Sequence, residues 1–193
     1  NITSELFQWQ YTTKNASMMP AIINTLTITI ISLIIAVPIG IFSAIYLVEY
    51  AKRGNKLIGL IRLTTETLSG IPSIVYGLFG YLMFVVALEW SYSVIAGCLT
   101  LAIMILPLVM RTTEEALISV PDTFREGSYG LGAGKLRTVF KIVLPSAMPG
   151  ILSGVILAIG RIVGETAALI YTAGTVAEIP TSLLSSGRTL SVH

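Results

Sequence analysis

Charge is scarce in this chain: only 11% of its residues are Asp, Glu, Lys or Arg, against about 25% in a soluble domain. Asp122 is the single aspartate and His193 the single histidine. A hydrolase would need a Ser/His pair or two aspartates within the membrane, and a typical metal centre would need clustered histidines. The chain offers neither, so it is not expected to be an enzyme and no metal ligands are assigned. Cys98 is the sole cysteine and lies in an apolar run, which excludes a disulfide within the chain. The net charge of +2 is too small to suggest nucleic acid as a partner. The chain starts at Asn1 rather than Met and is expected to be part of a longer protein, so a missing signal peptide carries no information.

What fills the chain is apolar. Hydrophobic residues make up 54%, and the mean hydropathy is +0.84. A membrane helix needs about 20 apolar residues, and four stretches qualify: Pro20 to Val48, Leu68 to Leu88, Tyr92 to Met110 and Ala147 to Thr172. The sequence therefore predicts an all-α, polytopic membrane protein embedded in lipid. The first stretch would be about 43 Å long as a helix, more than a hydrocarbon core of ~30 Å requires, and Pro38 is expected to kink it.

Orientation follows from the basic residues. The connection from Glu49 to Glu66 carries Lys52, Arg53, Lys56 and Arg62, and the one from Arg111 to Ser146 carries Arg111, Arg125, Lys135, Arg137 and Lys141. Only Lys14 and Arg188 fall on the other side. By the positive-inside rule both basic connections are expected in the cytoplasm and both chain ends outside. Trp9 and Trp90 then fall on the outer side, where aromatic belts sit.

Residues 111–146 form the least membrane-like part and are expected to be a cytoplasmic loop of two short helices. Ser119 and Pro121 suit a helix start, with Asp122 near the positive end of its dipole. Gly130, Gly132 and Gly134 would end that helix, and Lys135 to Leu144 would form the next before Pro145 stops it. The run "GLGAGK" is not a P-loop: Tyr129 stands at the position of the first glycine and Leu136 follows the lysine. A dinucleotide site fails too, because Lys135 replaces the third glycine. The "NAS" at Asn15 is a short chance match and is assigned nothing.

The last apolar stretch holds "GRIVGETAAL", with Arg161 and Glu165 four residues apart. At 100° per residue, Gly150, Gly154, Ala158, Arg161, Glu165 and Ala168 fall on one narrow stripe, and Leu152, Val155, Ile159, Ile162, Val163 and Ile170 on the opposite, lipid-suited face. Gly150 and Gly154 form a GxxxG pair that allows another helix to pack closely. Each ion costs roughly 2.5–3.5 kcal/mol to insert at a helix centre, and about ten apolar residues return roughly 0.3–0.6 kcal/mol each. The sums nearly cancel, so the ions need pairing, neighbours or water. Two readings stand: a structural i,i+4 ion pair, or a substrate path in which Arg161 attracts an anion. Arg161 is the only basic residue within an apolar stretch; Thr166 and Ser73 could add hydroxyl donors.

Glu126, Gly132, Ile142, Leu144 and Pro145 match the pattern E-A-A, three residues, G, nine residues, I-x-L-P. This resembles the signature loop of binding-protein-dependent ABC importer permeases. Gly127 and Ser128 replace the two alanines, and both are small enough to keep close packing. Stretches such as "AVPIGIFSAIYLVEYA", "TETLSGIPSIVYGLFG" and "GETAALIYTAG" are similar to the A-type membrane subunit of bacterial phosphate importers. The partner C-type subunit is similar around "GR-x-x-GET". The resemblance implies a type I ABC importer transmembrane domain over residues 1–193, with four helices here and six in a full subunit. It implies that Glu126, Gly127, Ser128, Gly132, Leu144 and Pro145 belong to a coupling loop docked on an ATP-hydrolysing subunit. It further implies that Arg161 and Glu165 serve phosphate passage. The implied partners are a homologous C-type permease subunit, an ATP-binding subunit dimer carrying ATP and Mg, and an external phosphate-binding protein. No cofactor is expected in this chain, and the implied location is the bacterial cytoplasmic membrane. Rival readings are a permease for sulfate, molybdate or an uncharged solute, and a passive anion channel.

Overall fold

The structure, a computed structural model, describes residues 18–51, 56–176 and 185–192. Trp9, Lys14, Asn15, Lys52, Arg53 and His193 lie outside the described residues. Helix α1 (Met19–Ile45) runs unbroken past Pro38 and continues into a π turn, Tyr46–Tyr50. Helix α2 (Lys56–Ser69) is followed by α3 (Ser73–Gly80), which widens into a second π turn, Tyr81–Ala87. Helix α4 spans Val94–Ile118, and α5 covers Asp122–Gly130. Helix α6 (Lys135–Thr138) passes through a third π turn, Val139–Val143, directly into α7 (Leu144–Val163). The short α8 covers Ala167–Thr172.

Among the described residues, three continuous helical stretches are long and apolar enough to cross a membrane: Met19–Tyr50, Val94–Ile118 and Lys135–Val163. A fourth is possible if Ile58–Ser69 and Ser73–Ala87 count as one broken span, bent by 101°. The expected single span from Leu68 to Leu88 is thus corrected. Pro72 has no N–H to continue the helix and biases Ile71 toward extended backbone, with Gly70 ahead of it. Helix α4 runs eight residues beyond Met110, because Arg111 pairs with Glu115 at 3.0 Å along its own surface and the segment stays helical where it stops being apolar.

Pro145 was expected to stop a helix, and it does not. A proline in a helix interior clashes with the carbonyl four residues back. Here the π turn Val139–Val143 ends two residues before it, and its wider i to i+5 bonding re-routes that part of the ladder. Lys135 to Val163 is therefore continuous. At the other end, the apolar stretch expected to run to Thr172 breaks after Val163.

Contacts divide the chain into two units, the first holding the described parts of Asn1–Ile35, Ile71–Met104 and Ile159–His193, the second those of Ala36–Gly70 and Ile105–Ala158. In the first unit α3 and α8 meet at very short range: a Cβ at Gly77 would lie 2.8 Å from the Ala168 Cα, and one at Gly80 would strike the Thr100 side chain. Ser32 donates to the Cys98 carbonyl at 3.0 Å, Asn24 to the Arg188 carbonyl at 3.0 Å, and the Leu190 N–H to Thr25 Oγ1 at 2.9 Å. Phe84 stacks on Trp90 with ring centres 5.8 Å apart.

The second unit has its own core of Ala44, Ile45, Ala116, Leu117, Val120, Val139, Val143, Ala147 and Ile151. The ends of α1 and α4 and the start of α7 meet there. A Cβ at Gly150 would lie 2.7 Å from the Ala116 Cβ, and one at Gly154 would lie 2.7 Å from the Thr112 Cβ. Both glycines therefore bring α7 against α4. Leu152, Ile156 and Leu157 on α7 are more than half exposed, the exposure expected of side chains that meet lipid or another subunit.

Candidate functional site

Arg161 sits in the last turn of α7, where a cation faces the negative end of the helix dipole. It is half-buried. Gly164 then closes the helix, its N–H donating to the Gly160 carbonyl at 3.1 Å, and the Glu165 N–H donates to the Ile162 carbonyl at 3.1 Å. The chain leaves helical geometry at Glu165 and Thr166 before α8 begins. The continuous stripe carrying both charges does not form as drawn, since its 100° spacing ends with the helix at Val163. Ile162, placed on the lipid-suited face by the same spacing, is buried.

The break gives Glu165 a different neighbour. Its side chain is turned inward, with the residue 8% exposed, and Oε1 accepts the N–H of Ala168 at 3.1 Å. That N–H lies in the first turn of α8, where helix donors have no partner within the helix. Glu165 therefore caps α8. Around it, Thr166 Oγ1 donates to the Ser191 carbonyl at 3.2 Å, and Ser191 Oγ donates to the Glu165 carbonyl at 2.5 Å. Arg161 forms no ion pair among the described residues.

Facing it electrostatically is Tyr76, a buried residue of α3 whose hydroxyl feels the Arg161 charge. Ser73 begins the same helix and is half-buried; among the described residues no hydrogen bond joins it to Arg161. Of the four residues singled out from sequence for this region, Glu165 and Thr166 are adjacent and bonded into one network with Ser191. Tyr76 was not singled out. Its only signal was a tyrosine within the otherwise apolar "PSIVYGLFG".

The loop residues belong to the second unit. Pro121 precedes α5 and Asp122 stands in its first turn. Ser119 does not start that helix; its hydroxyl donates back to the Ala116 carbonyl at 2.7 Å, at the end of α4. Gly132 has φ of +82°, a left-handed turn suited to glycine, and its N–H donates to the Tyr129 carbonyl at 2.9 Å. Ser128 points inward and shares a hydrogen bond with Thr138 at 2.8 Å, which ties α5 to α6. Glu126 and Gly127 are exposed, and a Cβ at Gly127 would meet nothing within 4 Å. Small size at 127 thus serves no packing within the described residues. Leu144 packs at the edge of the core, and Pro145 is exposed. Beside them Leu131 is 91% exposed, with Phe124 and Leu136 at least half exposed.

Residues 36–191 match the family described as "Binding-protein-dependent transport system inner membrane component". The chain belongs to this family. It is thus a multi-pass transport component of the inner membrane rather than an enzyme. Relatives include the "Probable ABC transporter permease protein YqgI" of Bacillus subtilis, 41% identical over 86% of this chain and 58% of its own length. The "Phosphate transport system permease protein PstA 1" of Mycobacterium tuberculosis is 42% identical over 80% of this chain and 49% of its own length. The PstA protein of Yersinia pestis is 44% identical over 72% of this chain and 46% of its own length. The chain spans about half the length of the curated relatives it matches.

For this transport component the structure adds two features that sequence reasoning missed. One is Arg125, held by Glu49 at 2.8 Å, with side chains only 13% and 6% exposed. The other is a cleft of about 240 Å³ lined by Arg62, Thr65, Glu66, Arg111, Glu114, Glu115 and Ile118. In it Arg62 pairs with Glu114 at 2.7 Å. Its two arginines are outnumbered by three glutamates, so it lacks the positive surplus an anion would need.

Proposed function

We propose that this chain is the membrane core of an ATP-driven importer of inorganic phosphate, working by alternating access. The observation that carries the reading is Arg161. Among the described residues its half-buried guanidinium has no carboxylate partner, and the cost of such a charge in an apolar setting is offset when an anion supplies a counter-charge. Glu165, the nearest acid in sequence, is committed to the Ala168 N–H, which leaves the guanidinium available. Its planar fork suits a tetrahedral oxyanion. The names of the mycobacterial and Yersinia relatives support phosphate as that oxyanion.

In this reading both basic connections are cytoplasmic. The exposed surface of α5 around Glu126 and Gly127, with Leu131, docks on an ATPase dimer that carries ATP and Mg. A homologous C-type permease subunit completes the membrane pair, and an external binding protein delivers phosphate. Hydrolysis on the partners moves the docked loop, and the helices switch between outward and inward openings.

The test is phosphate uptake, with sulfate as competitor, by the full-length protein in its complete transporter. Arg161→Gln is expected to abolish uptake while the complex still assembles. Undiminished transport would remove Arg161 from the path, and equal competition by sulfate would remove the phosphate assignment.

A further inference from the structure

The loop carries a connection that its docking role does not require. Arg125 lies on α5 beside Glu126 but turns away from the exposed surface. Its Nε and Nη2 both reach Glu49 Oε1, at 3.1 and 2.8 Å. Nη1 donates to the Val120 carbonyl at 2.8 Å, and Nη2 also donates to the Leu117 carbonyl at 2.9 Å. Leu117 lies in the last turn of α4, where carbonyls have no partner within the helix. Asp122 adds a contact at 3.2 Å from the start of α5.

One guanidinium therefore joins the end of α4, the loop helix α5 and the π turn that ends α1. The π turn lets α1 keep its apolar side in the core, through Ala44, Ile45 and Leu47, while Glu49 reaches Arg125. A second contact joins the same turn to the far side of the loop: Lys135 Nζ lies 5.1 Å from the Tyr50 ring centre. A docking surface alone would need neither contact.

We propose that Arg125 is a positioning residue, locking the docking helix to the end of the first span through Glu49. Displacement of α5 by the ATPase is thereby delivered to α1 and α4 together. The proposal rests on the docking reading above. Without the lock α5 would still dock, but its motion would be absorbed at the Val120–Pro121 turn.

The experiment uses the complete transporter in proteoliposomes and measures inorganic phosphate imported per ATP hydrolysed. Arg125→Gln and Glu49→Gln are each expected to lower that ratio about tenfold, within the range that coupling free energies produce. ATPase binding and hydrolysis persist in both. The double variant is no worse than either single one, because both remove one shared interaction. With cysteines at 49 and 125, the ratio is low, and a short bis-maleimide added after purification restores it. A purely folding role would not respond to that reagent.

An unchanged ratio in Glu49→Gln, or a double variant whose loss is the product of the two, overturns the lock. So does loss of ATPase binding in Arg125→Gln with a normal ratio in the complexes that remain. Glu126→Lys separates the two levels: if it leaves ATPase binding and coupling intact, the docking reading itself falls.

Discussion

Replacing Glu165 separates a structural carboxylate from one that acts on the transported anion. Its Oε1 accepts the Ala168 N–H at 3.1 Å, and Ala168 is fully buried. Glu165→Ala leaves that donor unpaired, at a cost of about 1–3 kcal/mol. Glu165→Gln keeps an oxygen where the cap needs it. A charge-assisted hydrogen bond is roughly twice as strong as a neutral one, so the amide should forfeit about 1 kcal/mol and also escape the cost of burying a charge. A loss of ~2 kcal/mol shifts the ratio of docked to undocked α8 by roughly 30-fold. The effect reaches function because α8 packs on α3 at Gly77, one residue after Tyr76. Hydrogen exchange across residues 167–172 and phosphate uptake by the full transporter read the two effects. Glu165→Gln is expected to retain most protection and most transport, and Glu165→Ala to lose both. If Gln abolishes transport while α8 stays protected, the negative charge itself is needed and the capping argument fails as an account of Glu165.

Three further outcomes follow from close approaches and turns. Gly154→Leu drives a branched chain into Thr112, where even a Cβ would sit 2.7 Å from the Thr112 Cβ; overpacking of ~1–3 kcal/mol should lower the thermal midpoint of the purified complex. At Gly160 on the same helix a Cβ would meet nothing within 4 Å, so Gly160→Ala should leave that midpoint unchanged or raised. In the loop, Gly132→Ala forces a side chain into φ of +82° at about 1–2 kcal/mol, whereas Gly127→Ala in the open interior of α5 gains about 0.5–1 kcal/mol. Amide exchange across residues 122–138 should accelerate in the first variant and slow in the second; the same sign in both would refute the assignment.

The apolar spans were legible because lipid imposes a length and forbids charge, a pattern that survives without tertiary information. The turn at Gly130 to Gly134 was legible for a different reason, since glycine has few other uses in a solvated loop. Pro145 was misread because propensity is local. A proline that ends an isolated helix is accommodated once a π turn precedes it and Val139, Val143 and Ala147 are anchored in a core. No residue type marks a π turn, so the three among the described residues left no trace in composition. The bend between α2 and α3 did leave one, in Gly70 and Pro72, but the apolar count across them outweighed it.

The charged pair shows how periodicity can be satisfied for the wrong reason. Arg161 and Glu165 are four apart, and a continuous helix would place them on one face. Yet "GET" also contains a helix stop in Gly164 and an entry signal in Thr166, and the backbone follows those. The break has a chemical consequence that a continuous helix would have removed. An i,i+4 pair would satisfy the arginine and leave nothing for an anion to do. Turning Glu165 onto the Ala168 N–H gives the acid a cation-free partner and leaves Arg161 without an ion pair among the described residues. The same logic runs in reverse at Arg125, where every donor direction is filled by Glu49, Asp122 and two carbonyls. One arginine is tied to four neighbours and the other to no carboxylate among the described residues, a distinction set by the backbone around each rather than by residue type.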